Sequence, residues 1–169
     1  MSGFPQSIVD QLTSKQVRAL ADQLEPTFKK VPHLPKGLIE FMVSVAPWLV
    51  GLGGILGAFS GLGMVFSALG LNWSWWMQLA GYSQAYFLIV GLLQLVSAGI
   101  LLLAFSPLKA KKQTGWLLLF CNMGVSIAQS AVGVLFSFGA FSIGGLLWTA
   151  IGVIVGAYVL YELRSQFSE

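Results

Sequence analysis

The chain has 169 residues, of which 56% are hydrophobic and only 9% charged, and it contains 20 glycines. This composition excludes an ordinary water-soluble domain, in which about a quarter of the residues are charged, and is typical of a membrane protein. The net charge of +3 does not indicate nucleic-acid binding, because the basic residues flank apolar stretches and do not form one patch.

The N-terminal residues 1–36 are predicted to form a cytosolic helical segment and a basic, proline-rich linker. Thr13 and Gln16 have the spacing of a capping box. The helix that follows is amphipathic, with Val17, Leu20, Ala21 and Leu24 on one side and Lys15, Arg18, Asp22 and Glu25 on the other. Such a helix can bind a partner, lie on the lipid surface or pack under its own membrane domain. The prolines at positions 26, 32 and 35 argue against a continuous helix into the membrane.

A basic turn divides the rest of the chain, residues 37–169. Residues 41–108 contain no Asp, Glu, Lys or Arg, nor do residues 113–161, and Lys109, Lys111 and Lys112 lie between these stretches. Each stretch is too long for one membrane crossing and suits two, at about 20 residues per crossing. The sequence therefore predicts four spans, at about residues 41–70, 77–105, 114–137 and 142–163.

The same lysines predict the orientation of the spans. Short lysine-rich loops are retained on the cytoplasmic side of a membrane, and Arg164 closes the fourth span on that side. Trp73, Trp75 and Trp76 fall in the first outer turn, where they are expected to form an aromatic belt rather than to cover a ligand. We expect a multi-pass protein of the cell membrane with both termini in the cytoplasm.

Glycines repeat at every fourth residue in two of the predicted spans. Gly53, Gly57 and Gly61 share one side of the first span, and Gly152 and Gly156 form a second pair in the fourth. Small residues at this spacing let helices approach closely. The ridges are expected to pack within the chain, with contacts to a second copy or another membrane protein, or a pore lining, as the alternatives.

Uncharged polar residues form stripes on the second and third spans: Gln84 and Gln94 on the second, and Asn122, Ser126 and Gln129 on the third. Counting outward from the basic turn places Gln94 at a depth between Asn122 and Gln129. Hydrogen bonds between the two helices are the favoured interpretation. A polar conduit is the alternative, although a substrate pathway more often carries an ionisable residue.

The predicted fold is an all-α membrane protein: an antiparallel bundle of four transmembrane helices with an N-terminal cytosolic amphipathic helix. Two motifs support it, Pro107-Leu-Lys-Ala-Lys-Lys-x-x-Gly115-Trp-Leu-Leu-Leu-Phe120 and Tyr158-x-x-Tyr161-Glu-Leu-Arg164-Ser165. Over residues 40–167 the chain resembles a family of small uncharacterised bacterial membrane proteins. The resemblance implies four membrane helices and brings no activity or ligand.

The residue inventory does not favour an enzyme. The predicted spans contain no histidine or aspartate, and Glu40 and Glu162 lie only at their inner edges. Catalysis needs a nucleophile with a base, paired carboxylates or metal ligands within reach of one another, so we expect no enzyme, cofactor or metal. A structural or accessory protein that presents its N-terminal helix to a partner is the leading hypothesis. An oligomeric channel or transporter for a small neutral solute or lipid is the alternative.

Overall fold

The computed structural model describes residues 13–28, 34–70, 83–136 and 143–167, and its regular elements are all helical. The α-helices are α1 (Lys15–Phe28), α2 (Lys36–Ala68), α3 (Gln84–Lys109), α4 (Gln113–Phe136) and α5 (Ile143–Leu163), and a 3-10 turn covers Arg164–Gln166. The expected tryptophan belt, most of the basic linker and residues 1–12 lie outside the described ranges.

Three helices, α2, α3 and α4, are long and apolar enough to cross a membrane. They contain 33, 26 and 24 residues, or about 50, 39 and 36 Å at 1.5 Å per residue, compared with a hydrocarbon core of about 30 Å. Large apolar side chains on α2 are exposed, among them Trp48, Leu49, Leu52, Ile55, Leu56, Phe59, Leu62 and Phe66. A surface of this kind requires cover by lipid or by another chain.

The bounds of α2 and α3 differ from the predicted spans by several residues. The end of the helices that carries the basic turn is called the inner end. Helix α2 begins at Lys36, directly after Pro35, and not near residue 41. Helix α3 continues past residue 105 and through Pro107 to Lys109, because a proline in the last turn of a helix removes only one backbone hydrogen bond. Lys111 then adopts a φ of 52°, which reverses the chain between α3 and α4.

Glycines bring α2 against α3, and Gly57 and Gly61 of the predicted ridge lie in the contact. A Cβ atom built on Gly57 would lie 3.2 Å from Nε2 of Gln94, and one on Gly61 would lie 3.1 Å from the carbonyl oxygen of Gly91. On Gly54 it would lie 2.9 Å from Leu102, whereas on Gly53 it would meet only Leu101, at 3.9 Å. Consecutive residues point about 100° apart around a helix, so Gly54 faces α3 and Gly53 lies at the edge of the contact.

The first turn of α4 packs equally closely against the end of α3. A Cβ atom on Gly115 would lie 2.7 Å from the backbone nitrogen of Leu108, so α4 can leave the turn along α3 only with glycine at this position. The residues that follow, Trp116, Leu117 and Leu118, are fully buried. They form the centre of the hydrophobic core, which therefore lies at the inner, basic end of the helices.

Helix α1 packs into this same core and includes Pro26 within its last turn. Ala21 is completely buried, while Leu20 and Leu24 are 56% and 44% exposed. The predicted apolar side is therefore divided: Val17 and Ala21 face the core, and the two leucines face outward. The sequence leaves three placements open for this helix. In the structure it packs against the rest of the chain.

Candidate functional site

The inner end of the bundle is organised around Trp116. Its indole Nε1 donates a 2.6 Å hydrogen bond to the carbonyl oxygen of Leu160 on α5. Its ring stacks on Phe120, with a centroid distance of 5.8 Å, and meets the ring of Tyr161 edge-on at 5.5 Å. A buried tryptophan needs a partner for its N–H group, and this partner joins α4 to α5.

Arg164 connects the Trp116 cluster to α1. Its guanidinium lies 4.8 Å from the centre of the Trp116 ring. Nη1 is 2.6 Å from the carboxylate of Glu25, and Nη2 pairs with Asp22. With its side chain only 19% exposed, Arg164 combines a cation–π contact and two charge-assisted hydrogen bonds, both stronger when partly desolvated.

Two further hydrogen bonds hold the N-terminal segment in place. The hydroxyl of Tyr161 donates to the carbonyl oxygen of Ala21 at 2.9 Å. The backbone N–H of Leu34, just before α2, donates to Glu162 at 3.0 Å. Together with Arg164 these contacts define an inner clamp, formed by Trp116, Tyr161, Glu162 and Arg164. The sequence predicts Arg164 only as a topology signal, because its partners lie about 140 residues away in the chain.

The predicted polar stripes meet between α3 and α4. Nε2 of Gln129 donates to Oε1 of Gln94 at 2.9 Å, which joins the two predicted stripes. Oδ1 of Asn122 accepts a 2.6 Å bond from Ser97, a residue that sequence reasoning missed because serines are common in any membrane helix. Ser126 bonds to a carbonyl oxygen of its own helix.

The first amide of the predicted stripe takes no part in these bonds. Gln84 lies exposed at the first residue of α3. Gly57 of α2 packs onto the Gln94 amide from the other side. The half-buried Gln94–Gln129 pair thus involves α3 and α4 and is contacted by α2 at Gly57.

A groove of about 400 Å³ separates α4 from the outer part of α5. It is lined by Leu119, Asn122, Met123, Ser126, Ser130, Gly152, Val153, Gly156 and Leu160. A Cβ atom built on Gly152 or Gly156 would meet nothing within 4 Å. This second glycine pair therefore packs against none of the residues that the structure describes, and α5 is attached to α4 chiefly at the inner end.

The lysines of the basic turn occupy the inner rim. The ammonium of Lys109 lies 5.3 Å from the centre of the Trp48 ring on α2. Lys111 and Lys112 are exposed in the turn itself. Among the described residues, no group of three or more His, Cys, Asp or Glu side chains is arranged to hold a metal ion. The inner end therefore offers positive charge, aromatic rings and one docked helix.

Comparison of the chain with protein-family models, with curated proteins and with solved structures gives no match, so the interpretation of these sites rests on their geometry.

Proposed function

We propose that this protein is a multi-pass protein of the cell membrane, with four crossing helices and both termini in the cytoplasm. Helix α5 would be the fourth crossing, since its 21 residues extend about 31 Å. The proposed role is structural or accessory: the membrane helices hold α1 at the inner surface, where it recruits a cytosolic or membrane partner. The exposed apolar surface of α2 and the basic inner turn support the membrane placement.

The docking of α1 carries this proposal. The inner clamp grips the side of α1 that contains Ala21, Asp22 and Glu25. It leaves Leu20 and Leu24 exposed next to each other, one helical turn apart. A helix that served only to cover the core would turn both leucines inward, because burying each side chain contributes about 1.5–3 kcal/mol. Their outward position favours a second surface for a partner.

Photo-crosslinking in native membranes tests this role. A photoreactive amino acid at Leu24 should give one discrete crosslinked product, since this position would contact the partner. The same group at Ala19 is the matched control, because Ala19 is exposed on the same helix and lies about 140° away around its axis. Equal labelling at the two positions, or none at Leu24, would remove the evidence for a partner surface.

Reporter fusions test the topology. Fusions after residues 36, 74, 110, 140 and 169 should report cytoplasm, outside, cytoplasm, outside and cytoplasm. The physical reason is the retention of lysine-rich loops on the cytoplasmic side. An outside signal at residue 110 contradicts the scheme, because the basic turn would then lie on the wrong face. An outside signal at residue 169 would instead show that α5 does not cross.

The second candidate function, an oligomeric channel or transporter for a neutral solute or lipid, is favoured by the groove beside Asn122. The Gln94→Leu variant separates the two candidates. In a structural protein it should change the free energy of unfolding by about 0.6 kcal/mol, the mean value for hydrogen bonds between membrane helices. In a conduit that runs along the polar stripe of Gln94, Asn122 and Gln129, it should abolish solute flux into reconstituted vesicles. Flux and melting temperature are measured on the same preparations, and lost flux with unaltered melting would establish transport.

A further inference from the structure

A cleft opens between the inner ends of α3 and α4, next to the basic turn. Its volume is about 320 Å³, and it is lined by Leu103, Ser106, Pro107, Ala110, Lys112, Thr114 and Leu118. The α3 residues recur at spacings of three and four and so form one face of that helix. Ala110 and Leu103 are separated by about 10 Å along the axis. The cleft therefore extends from the basic surface into the depth of the helices.

The lining changes from charged to apolar along this length. Lys112 is exposed and Leu118 is fully buried, and Ser106, Thr114 and Leu103 also line the cleft. No carboxylate is among the lining residues. Lys112 makes no ion pair with any residue in the described ranges. Its positive charge is therefore available to a ligand.

A neighbouring cleft provides the contrast. It is smaller, about 230 Å³, and it contains Lys109 and Lys111 together with the carboxyl group of Glu40. Lys109 is also held against Trp48. A negative ligand would be attracted less strongly there, because the carboxylate offsets part of the lysine charge.

We propose that the Lys112 cleft binds the phosphodiester headgroup of an anionic phospholipid. Lys112 supplies the charge that pairs with the phosphate, and the hydroxyl groups of Ser106 and Thr114 donate hydrogen bonds to its oxygens. The acyl chains leave along Leu103, in the direction of the hydrocarbon core. Basic pockets between membrane helices on the cytoplasmic side are a general means of binding such headgroups. This inference rests on the proposed function for the placement of the turn at the inner surface.

The test measures lipid binding to the purified full-length protein in an uncharged detergent by native mass spectrometry. The probes are phosphatidylglycerol and phosphatidylcholine with identical acyl chains, and glycerol phosphate as the headgroup without chains. Phosphatidylglycerol should bind at least tenfold more tightly than phosphatidylcholine. Equal affinity for the two lipids would overturn the proposal, and so would glycerol phosphate binding as tightly as phosphatidylglycerol, because the site would then be one for free anions.

Two lysine variants locate the site. Lys112→Gln should weaken phosphatidylglycerol binding about tenfold, whereas Lys111→Gln, which removes the same charge from the adjacent residue, should leave it within about twofold. Thr114→Val, which removes one hydroxyl at similar volume, should have a smaller effect than Lys112→Gln. Melting temperatures confirm that each variant is folded. Equal losses in the two lysine variants would show a diffuse surface charge and contradict a specific cleft.

The lipid-binding result can be distinguished from the result of the topology test, because lipid binding in detergent does not depend on the orientation of the protein in a membrane. An outside signal from a fusion at residue 110 would overturn the topology and leave the measured affinities in place. Absence of selective binding in a protein with the expected topology would overturn the lipid cleft alone.

Discussion

Replacing Gly57 with leucine should separate α2 from α3 and give the largest loss of stability of any single change considered for the membrane helices. A Cβ atom alone would lie 3.2 Å from the Gln94 amide and 3.4 Å from Cβ of Ala98. The remainder of a leucine side chain has no space there, so the helices must move apart. Overpacking of this kind costs about 1–3 kcal/mol or more, which thermal unfolding in detergent measures as a lower melting temperature.

Gly63→Leu is the matched control for this change. Gly63 lies on the same helix, and a Cβ atom built on it meets nothing within 4 Å. The substitution brings the same gain in helix propensity and the same added volume without the collision. Its melting temperature should equal or exceed that of the wild type. If Gly57→Leu and Gly63→Leu behave alike, the close approach of α2 and α3 at Gly57 does not exist in the protein.

Replacing Arg164 with glutamine should release α1 from the inner clamp. The variant loses both charge-assisted hydrogen bonds to Asp22 and Glu25 and the cation–π contact with Trp116. A hydrogen bond to a charged group contributes about 1.5–3 kcal/mol. The loss of about 2 kcal/mol increases the undocked population more than tenfold, because each 1.4 kcal/mol corresponds to a factor of ten.

Limited trypsin digestion measures this release through cleavage after Lys15 and Arg18 in α1. The initial cleavage rate should rise more than tenfold in Arg164→Gln, while melting of the membrane helices changes little. The cleavage rate of Arg164→Lys should lie between those of the wild type and Arg164→Gln, because lysine keeps the charge but lacks the planar guanidinium that reaches two carboxylates. Tyr161→Phe, which removes only the bond to Ala21, should have the smaller effect of a neutral hydrogen bond. An unchanged rate in Arg164→Gln would mean that the clamp does not retain α1.

Local patterns in the sequence were sufficient to predict the long apolar helices. The bounds of α4 and α5 lie within one residue of the predicted third and fourth spans. The positions of the charged residues and the lengths of the apolar stretches are sufficient to predict these bounds. Counting from the basic turn placed Gln94 at a depth between Asn122 and Gln129, and Gln129 is its partner. Both inferences need only helical geometry and the positions of Lys109, Lys111 and Lys112.

Contacts between segments that are far apart in the chain could not be predicted from local sequence patterns. The choice between Gly53 and Gly54 depends on the rotation of α2 about its axis, which is determined by the side chains of α3 opposite it. The pairing of Arg164 with Asp22 depends on where the last helix ends in space. The groove beside Gly152 and Gly156 could not be predicted from the sequence either, since a glycine pair has the same spacing whether or not another helix covers it.

The pairing of Arg164 with α1 also sets the order in which the molecule can be assembled. The ribosome synthesises Glu25 long before Arg164, which is 139 residues later. At about 5–20 residues per second, α1 is without its anchoring arginine for roughly 7 to 28 seconds. During that interval Asp22 and Glu25 lack the arginine with which they pair, and only a chain that has reached Arg164 can hold α1 in the clamp. The clamp thus forms only in a chain whose synthesis has passed Arg164.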